Sequence, residues 1–211
     1  MAGYDILKEA IINGDDKEVE AQVRKALDSG TAASDVMANG LIAGMRVVGQ
    51  RFRAGEMFLP EVLLSAEVMH KGLDILNPLL AKSGHTRLGK VVIGTVEGDI
   101  HDIGKRIVSS LLEGNGFEVT DLGVDVKADT FIKAVEEIKP DFLGMSALLT
   151  TTMPHMEEVI DLLKEKKLRE KMKIIVGGAS VNDQFAKTIG ADSYAPEAGS
   201  AVEWMIKSLT K

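Results

Sequence analysis

The chain has 211 residues, of which 45% are hydrophobic, and a formal net charge of −7 at pH 7. This length suits one large domain or two small ones, and the negative charge argues against nucleic-acid binding. The sequence contains no cysteine, which excludes disulfides and thiolate ligands. It also lacks a secretory signal pattern and any apolar run of about 18 residues, so we expect a cytoplasmic location without a membrane segment.

Hydrophobic residues recur at helical spacing through the N-terminal part of the chain. Four stripes are present: Leu7 and Ile11; Val19, Val23 and Leu27; Met37, Leu41, Met45, Val48 and Phe52; and Leu59, Leu63, Ala66, Met69, Leu73, Leu76 and Leu80. Pro60 fits the first turn of the last helix. We therefore predict an N-terminal four-helix bundle over residues 1–82.

A polar, glycine-containing segment at residues 83–89 is the predicted linker and hinge. Beyond it, in a second domain at 90–211, strand-like apolar runs alternate with helix-like runs. Strands are expected at Val91–Thr95, Phe117–Leu122, Asp141–Ser146, Lys173–Val176 and near Ser193-Tyr194, and helices near Gly104–Glu113, Asp129–Ile138, Pro154–Lys166, Asp183–Ile189 and Ser200–Leu209. This alternation predicts a flavodoxin-like, Rossmann-like, doubly wound parallel sheet of five strands.

The loop between the first predicted strand and its helix reads Asp99-Ile100-His101-Asp102-Ile103-Gly104. Ligands bind at the carboxyl ends of strands in sheets of this kind. A carboxylate beside an imidazole can accept its N–H, fix its tautomer and make the other nitrogen a better metal ligand. Taken alone, however, the pattern is more typical of a surface loop with a solvated histidine.

Two further signals follow two other predicted strands. Between Gly104 and Ser146-Ala147-Leu148 lie 41 residues, and between Leu148 and Gly177-Gly178 lie 28. In a parallel sheet these strand ends share one edge. The three segments together resemble the cobalamin-binding signature DxHxxG, SxL, GG of methionine synthase and of the corrinoid methyl carriers of methyltransferase systems. The alternative is that they are close-packing strand ends of any α/β fold.

The resemblance implies a cofactor, methylcobalamin or a related corrinoid, and a role for three residues. In that family the nucleotide tail of cobalamin swings away and a protein histidine takes its place on cobalt. His101 matches this metal ligand and Asp99 matches its hydrogen-bonding partner. Thr152 matches the hydroxyl that completes the relay, where methionine synthase has serine. Asp99, His101 and Thr152 are thus the predicted catalytic set.

The displaced tail is expected in a crevice between the first and fourth strands. Its predicted lining is Gly94, Ser146, Leu148, Thr150, Gly177 and Gly178. Glycines allow close approach of a long flat group, and Ser146 and Thr150 can hydrogen-bond its base. Gly98, Asp102, Ile103 and Gly104 complete the predicted cofactor-binding set, although Asp102 is more typical of a carboxylate at a helix start.

The helical half also carries a resemblance, in the segment from Gly44-Met45-Arg46-Val47-Val48-Gly49 to Met57-Phe58-Leu59-Pro60. It is similar to the cap domain of methionine synthase, whose bulky apolar residues shield the cobalt-bound methyl group. Phe52 and Leu59 match that shield. By periodicity alone, both residues would be ordinary bundle core. The other histidines, His70, His85 and His155, lack a carboxylate at useful spacing and are expected to be structural or solvated.

The resemblance covers a cap, a linker and a cobalamin domain, and leaves no room for a domain that activates the substrate. It implies a methyl-carrier subunit rather than a complete enzyme. Expected partners are a substrate-specific methyltransferase, an acceptor methyltransferase that uses tetrahydrofolate or a thiol coenzyme, and a reductive activase, with neither nucleic acid nor membrane. Methanol, methylamines, betaines and methoxylated aromatics are all possible methyl donors.

Two other cobalamin functions stay open, as does a cofactor-free interaction module. A carbon-skeleton mutase subunit shares the DxHxxG module, but the cap-like segment at 44–60 argues against it. A cobalamin-dependent sensor also joins a helical bundle to this module. Known sensors of that kind carry a DNA-binding domain, whereas this acidic chain begins directly with the bundle.

Overall fold

The computed structural model describes residues 3–83 and 88–209. The chain divides into two compact units, one formed by residues 1–87 with 110–116 and the other by residues 88–109 with 117–211. Residues 84–87 of the predicted linker, and His85 with them, lie outside the described residues. The predicted linker and the domain boundaries on either side of it therefore stay predictions.

The N-terminal part is helical, as the periodicity predicted. Its elements are α1 (Gly3–Asn13), α2 (Asp16–Asp28), α3 (Ala33–Val36), a π-helical segment (Met37–Ile42), α4 (Ala43–Arg53) and α5 (Leu59–Ser83). Because α3, the π-helical segment and α4 run on without a break, the part of the chain described before residue 84 contains four helices. No described helix is long and apolar enough to cross a membrane.

Small residues let α1 pack closely against the long interrupted helix. A Cβ atom on Gly40 would lie 2.4 Å from Leu7 Cδ2, and one on Gly44 would lie 2.9 Å from Ile11 Cβ. Leu7 and Ile11 are both buried. The helix starts are fixed locally: the Asp15 carboxylate accepts the Glu18 N–H that begins α2 (3.0 Å), which is an N-cap interaction.

The second part is a five-stranded parallel sheet with the order β2-β1-β3-β4-β5. This is the flavodoxin-like order, so the predicted fold class is confirmed. Its elements are β1 (Lys90–Thr95), α6 (Ile103–Gly114), β2 (Glu118–Asp121), α7 (Ala128–Ile138), β3 (Phe142–Ser146), α8 (Pro154–Glu165), a 3-10 turn (Arg169–Lys171), β4 (Lys173–Gly177), α9 (Asp183–Ile189), β5 (Ser193–Ala195) and α10 (Ala198–Leu209).

Strand periodicity gives the two faces of this sheet different roles. Val92, Leu143 and Ile174 are neighbours in register, are buried, and belong to the apolar core formed with α7, α8 and α9. The next residues along each strand, Ile93, Gly144 and Ile175, point the other way and line an open crevice. One face of the sheet is therefore packed, and the other leaves room for a ligand.

An ion pair within the first unit makes its stability depend on pH. His70 Nε2 lies 3.0 Å from Glu113 Oε2, and this hydrogen bond raises the pKa of His70 above 6.5 against the opposing effect of burial. The contribution is complete below the unfolded pKa and is lost as pH rises through the folded one. We expect urea unfolding of the protein to lose more stability between about pH 6 and about pH 8.5 than that of Glu113→Gln. Equal pH dependence in both proteins would contradict this.

Candidate functional site

The buried carboxylate of Asp99 is the centre of the site. It follows a tight turn in which the Asp99 N–H donates to the Val96 carbonyl (3.2 Å) and Gly98 adopts a φ of 77°. A positive φ at this position of a β-turn favours glycine. After this turn Asp99 is buried, while its neighbours Gly98 and Ile100 are exposed.

The Asp99 carboxylate accepts hydrogen bonds from its own loop and from the segment after β3. Oδ1 accepts the His101 backbone N–H (3.0 Å) and lies 2.8 Å from His101 Nδ1. Oδ2 accepts the Leu148 N–H (2.7 Å), the Leu149 N–H (3.3 Å) and the Thr152 hydroxyl (2.8 Å). The structure thus brings the three predicted catalytic residues into contact, with Asp99 between His101 and Thr152.

These hydrogen bonds keep Asp99 ionised although its side chain has no solvent exposure. Burial on its own would raise the pKa of Asp99. The backbone and imidazole donors of His101, followed by the Leu148 N–H and the Thr152 hydroxyl, outweigh burial and hold the pKa well below its usual value. An ionised carboxylate can only accept, so His101 Nδ1 is the donor in their bond.

The His101 ring is oriented by its contact with Asp99. Its side chain is 47% exposed while Asp99 is fully buried. Because Nδ1 carries the hydrogen that Asp99 accepts, the neutral ring has its lone pair on Nε2. The Thr95 hydroxyl also donates to the His101 carbonyl (3.3 Å), which holds the backbone of the loop. A histidine oriented by a buried carboxylate is a typical metal ligand.

Large apolar side chains are exposed around His101, at the same edge of the sheet. They are Ile100, Ile103, Val124, Leu148 and Leu149, each between 38% and 73% exposed. Clustered exposed apolar side chains are typical of a surface that binds a ligand or a partner. Of these five, only Ile103 and Leu148 were among the predicted site residues.

A crevice of about 470 Å³ opens beside this edge, between α6 and α10. Its floor is formed by Ile93, Gly144 and Ile175, which cover β1, β3 and β4. Because β3 separates β1 from β4, the crevice spans three strands rather than lying between two adjacent ones. The remaining lining includes Gly104, Lys105, Val108, Ser146, Leu148, Gly177, Gly178, Tyr194, Pro196, Glu197, Ala198, Ala201 and Met205.

Four of the six residues predicted to bind the tail lie on this crevice, and two do not. Ser146, Leu148, Gly177 and Gly178 line it, as does Gly104 of the wider cofactor-binding set. Gly94 faces the packed side of the sheet, where an added Cβ would lie 2.8 Å from the Phe131 ring. Thr150 is exposed and is not part of the lining.

The other predicted contacts flank the site or belong to the helical unit. Asp102 directly precedes α6, and its carbonyl accepts the Arg106 N–H (2.8 Å), as expected for a residue at a helix start. Phe52 and Leu59 are half-buried in the helical unit, so neither belongs to its fully buried core.

The sequence analysis missed two ion pairs, one in the crevice wall and one on α8. Lys105 is almost fully buried in the crevice wall, and its ammonium pairs with Asp121. Neither residue belongs to a motif, so only the fold joins them. The expectation that the other histidines have no carboxylate at useful spacing was wrong for His155, whose Nδ1 lies 3.0 Å from Glu158 Oε2 one helical turn away.

Comparisons with known proteins agree in both halves of the chain. The B12 binding domain family matches residues 89–203, and a second B12 binding domain model matches residues 4–77. A corrinoid protein of Desulfitobacterium hafniense is 47% identical, with 100% of this chain and 99% of that protein covered. Dimethylamine corrinoid protein 1 of Methanosarcina acetivorans is 43% identical over 96% of each chain.

A solved structure supports the same relationship over nearly the whole chain. The methanol:cobalamin methyltransferase complex of Methanosarcina barkeri contains a chain that is 36% identical, with a TM-score of 0.88. The match covers 97% of this chain and 78% of that one.

The residues at the sheet edge fit a corrinoid. A large metal-containing macrocycle would be held by an apolar surface, a nitrogen ligand for its metal and space for its substituents. The exposed apolar cluster, His101 Nε2 and the crevice supply these three features. Gly104 also lines the crevice. A Cβ atom there would meet nothing within 4 Å, so packing within the protein does not require a glycine, and the open space is available to a ligand.

Two glycines of the crevice should respond oppositely to alanine. At Gly178 the φ is 124° and an added Cβ would lie 2.0 Å from the Ala147 carbonyl oxygen. We therefore expect Gly178→Ala to lose at least about 2 kcal/mol of unfolding free energy in urea.

Gly104→Ala, in the first turn of α6, should gain up to about 1 kcal/mol of unfolding free energy. It should nevertheless weaken aquocobalamin binding at least about tenfold, because the added methyl group occupies crevice space. Unchanged cobalamin affinity in Gly104→Ala would contradict this use of the crevice.

Proposed function

The chain belongs to the B12-binding corrinoid proteins of methyltransferase systems, and we propose that His101 ligates the cobalt of its corrinoid in place of the cofactor's own nucleotide base. The observation that carries the proposal is the hydrogen bond between His101 Nδ1 and the buried Asp99 carboxylate (2.8 Å). This bond leaves Nε2 as the ring atom with a free lone pair, at the half-exposed edge of the sheet.

The corrinoid, when bound, supplies the chemistry of accepting and donating a methyl group at cobalt. The protein would hold the cofactor and orient the His101 nitrogen that is offered to its cobalt. Asp99 keeps the Nδ1 proton in place, since its own lowered pKa makes it a persistent acceptor. His101 Nε2 can hold either a metal or a proton, so ligation of cobalt there would be linked to proton uptake.

The crevice between α6 and α10 is the proposed site of the displaced nucleotide tail. Its floor is apolar, which suits a flat aromatic base. Ser146 offers a hydroxyl at the end of β3, and Gly177 and Gly178 keep the end of β4 free of side chains. The volume of about 470 Å³ lies in the range of small-molecule sites.

The proposed partners are methyltransferases. The relatives bear the names of dimethylamine and methanol systems, so a substrate-specific methyltransferase is the first expected partner. An acceptor methyltransferase using tetrahydrofolate or a thiol coenzyme, and a reductive activase, complete the proposed cycle. The relatives that match over the full chain length are corrinoid proteins, which favours methyl carriage over mutase or sensor duty.

Histidine ligation can be tested with aquocobalamin reduced to its cobalt(II) form on the protein. With ¹⁵N-labelled histidine, we expect the electron paramagnetic resonance spectrum to show coupling to one histidine nitrogen. That coupling should vanish in His101→Ala and persist in His155→Ala. His155 is a matched control because its Nδ1 also contacts a carboxylate. Coupling to the benzimidazole nitrogen in the unmodified protein would overturn the proposal.

The apo protein provides the folding control. His101→Ala removes the imidazole donor to the buried Asp99 carboxylate, so we expect the apo protein to stay folded and to lose no more than about 1.5–3 kcal/mol of unfolding free energy. Asp99→Asn should keep the ligation while altering its proton coupling. A larger loss of cobalamin affinity in Asp99→Asn than in His101→Ala would contradict the supporting role of Asp99.

Phe52 and Leu59 are the proposed shield of the methyl group. We expect Phe52→Ala and Leu59→Ala to speed the photolysis of methylcobalamin bound to the protein, because water and oxygen then reach the methyl group more easily. Phe58→Ala is the control, since Phe58 lies in the same segment and is 71% exposed. An unchanged methyl lifetime with a stability loss of about 3 kcal/mol or more would instead assign both residues to the bundle core.

A further inference from the structure

The loop between β2 and α7 runs alongside the loop that carries His101. The Thr95 N–H donates to the Gly123 carbonyl (3.0 Å) and the Val126 N–H donates to the Thr95 carbonyl (3.0 Å). An isolated parallel bridge joins Val96 to Val126. The pairing of β1 with β2 thus continues beyond the strand ends and reaches the turn that precedes Asp99.

Beyond this pairing, Asp125 makes two reciprocal hydrogen bonds with the loop that carries His101. Its backbone N–H donates to the Asp99 carbonyl (2.9 Å), and its Oδ1 accepts the Gly98 N–H (2.7 Å). Both groups belong to the two residues that set the direction of the Asp99 side chain. The Asp99 carboxylate is held by the segment after β3, whereas its backbone is held by Asp125.

The backbone of Asp125 has a left-handed conformation although the residue does not end a helix. Its φ is 53°, in the left-handed region, which costs about 1–2 kcal/mol for most side chains and less for aspartate or asparagine. The other two non-glycine residues with positive φ in the described ranges, Lys139 and Lys167, lie at the ends of α7 and α8. Asp125 ends no helix, and its strained backbone brings both hydrogen bonds onto one turn.

We propose that Asp125 is a positioning residue that fixes the Gly98–Asp99 backbone and, through Asp99, the direction of His101 Nε2. The inference deepens the proposed function and rests on it, because direction matters only if Nε2 ligates cobalt. A residue that orients a metal ligand through a partner typically changes metal affinity about 10- to 100-fold when it is replaced.

Three variants separate the side chain from the backbone. Asp125→Gly relieves the positive φ but removes the acceptor for the Gly98 N–H. Asp125→Asn keeps an oxygen acceptor and tolerates the same φ. Lys139→Gly is the matched control, because it relieves a similar φ of 51° at a site remote from the His101 loop in sequence.

The apo protein is measured first, by amide exchange of Gly98 and by ¹⁵N chemical shifts of the His101 ring. In Asp125→Gly we expect faster exchange at Gly98 and loss of the fixed Nδ1–H tautomer. With aquocobalamin reduced to cobalt(II), we expect about 10- to 100-fold weaker binding and reduced histidine coupling. Asp125→Asn should remain within about threefold of the unmodified protein, and Lys139→Gly should match it.

Two results would overturn the inference. One is an unchanged tautomer, affinity and coupling in Asp125→Gly. The other is an equal loss in Asp125→Gly and Asp125→Asn, which would mean that hydrogen-bond acceptance is not what matters. These results differ from a failure of the proposed function, in which the unmodified protein itself would show no histidine coupling. In that case the tautomer of the apo protein still decides whether Asp125 positions His101.

Discussion

The burial of one ionised carboxylate determines the arrangement of this protein's site. Asp99 has no contact with solvent, and an unpaired buried carboxylate would cost several kcal/mol. The folded protein must therefore supply hydrogen-bond donors to this carboxylate. They come from the loop after β1 and from the segment after β3. Each hydrogen bond to the charge is worth about 1.5–3 kcal/mol. The same bonds that stabilise the fold thus also fix the tautomer of His101.

The alternation of side chains along the strands separates stability from binding. Apolar residues on one face pack against three helices, and this packing does not involve the ligand. On the other face, Gly144 has only a hydrogen where its strand neighbours have isoleucine, and the Ile93 side chain lies close to it. An added Cβ at Gly144 would lie 3.0 Å from Ile93 Cγ1, which shows how closely that floor is already packed. The protein can hold an open crevice because its core lies on the opposite face.

The sequence predicted the fold well because its signals are local. Apolar strands, amphipathic helices and the three strand-end motifs can be recognised within short segments, and they led to the contact of Asp99 with His101 and Thr152. What it could not predict depends on which face a residue occupies or on contacts between distant loops. Gly94 was expected in the crevice but faces Phe131, since its position in the strand pleat depends on the register of the sheet. The reciprocal bonds of Asp125 link residues about 27 positions apart and follow no sequence pattern.

The geometry around Thr152 lets its hydroxyl adjust to the protonation of Asp99 without moving the backbone. The hydroxyl has one hydrogen but two acceptors in range, Asp99 Oδ2 at 2.8 Å and the Leu149 carbonyl at 2.9 Å. While Asp99 is ionised, the charged acceptor is the stronger one. If the carboxyl gained a proton, the hydroxyl could turn to Leu149 and accept from Asp99 instead. A hydroxyl is the group that can make this exchange, since it both donates and accepts. Threonine and serine both supply one, so this exchange does not depend on the methyl group of Thr152.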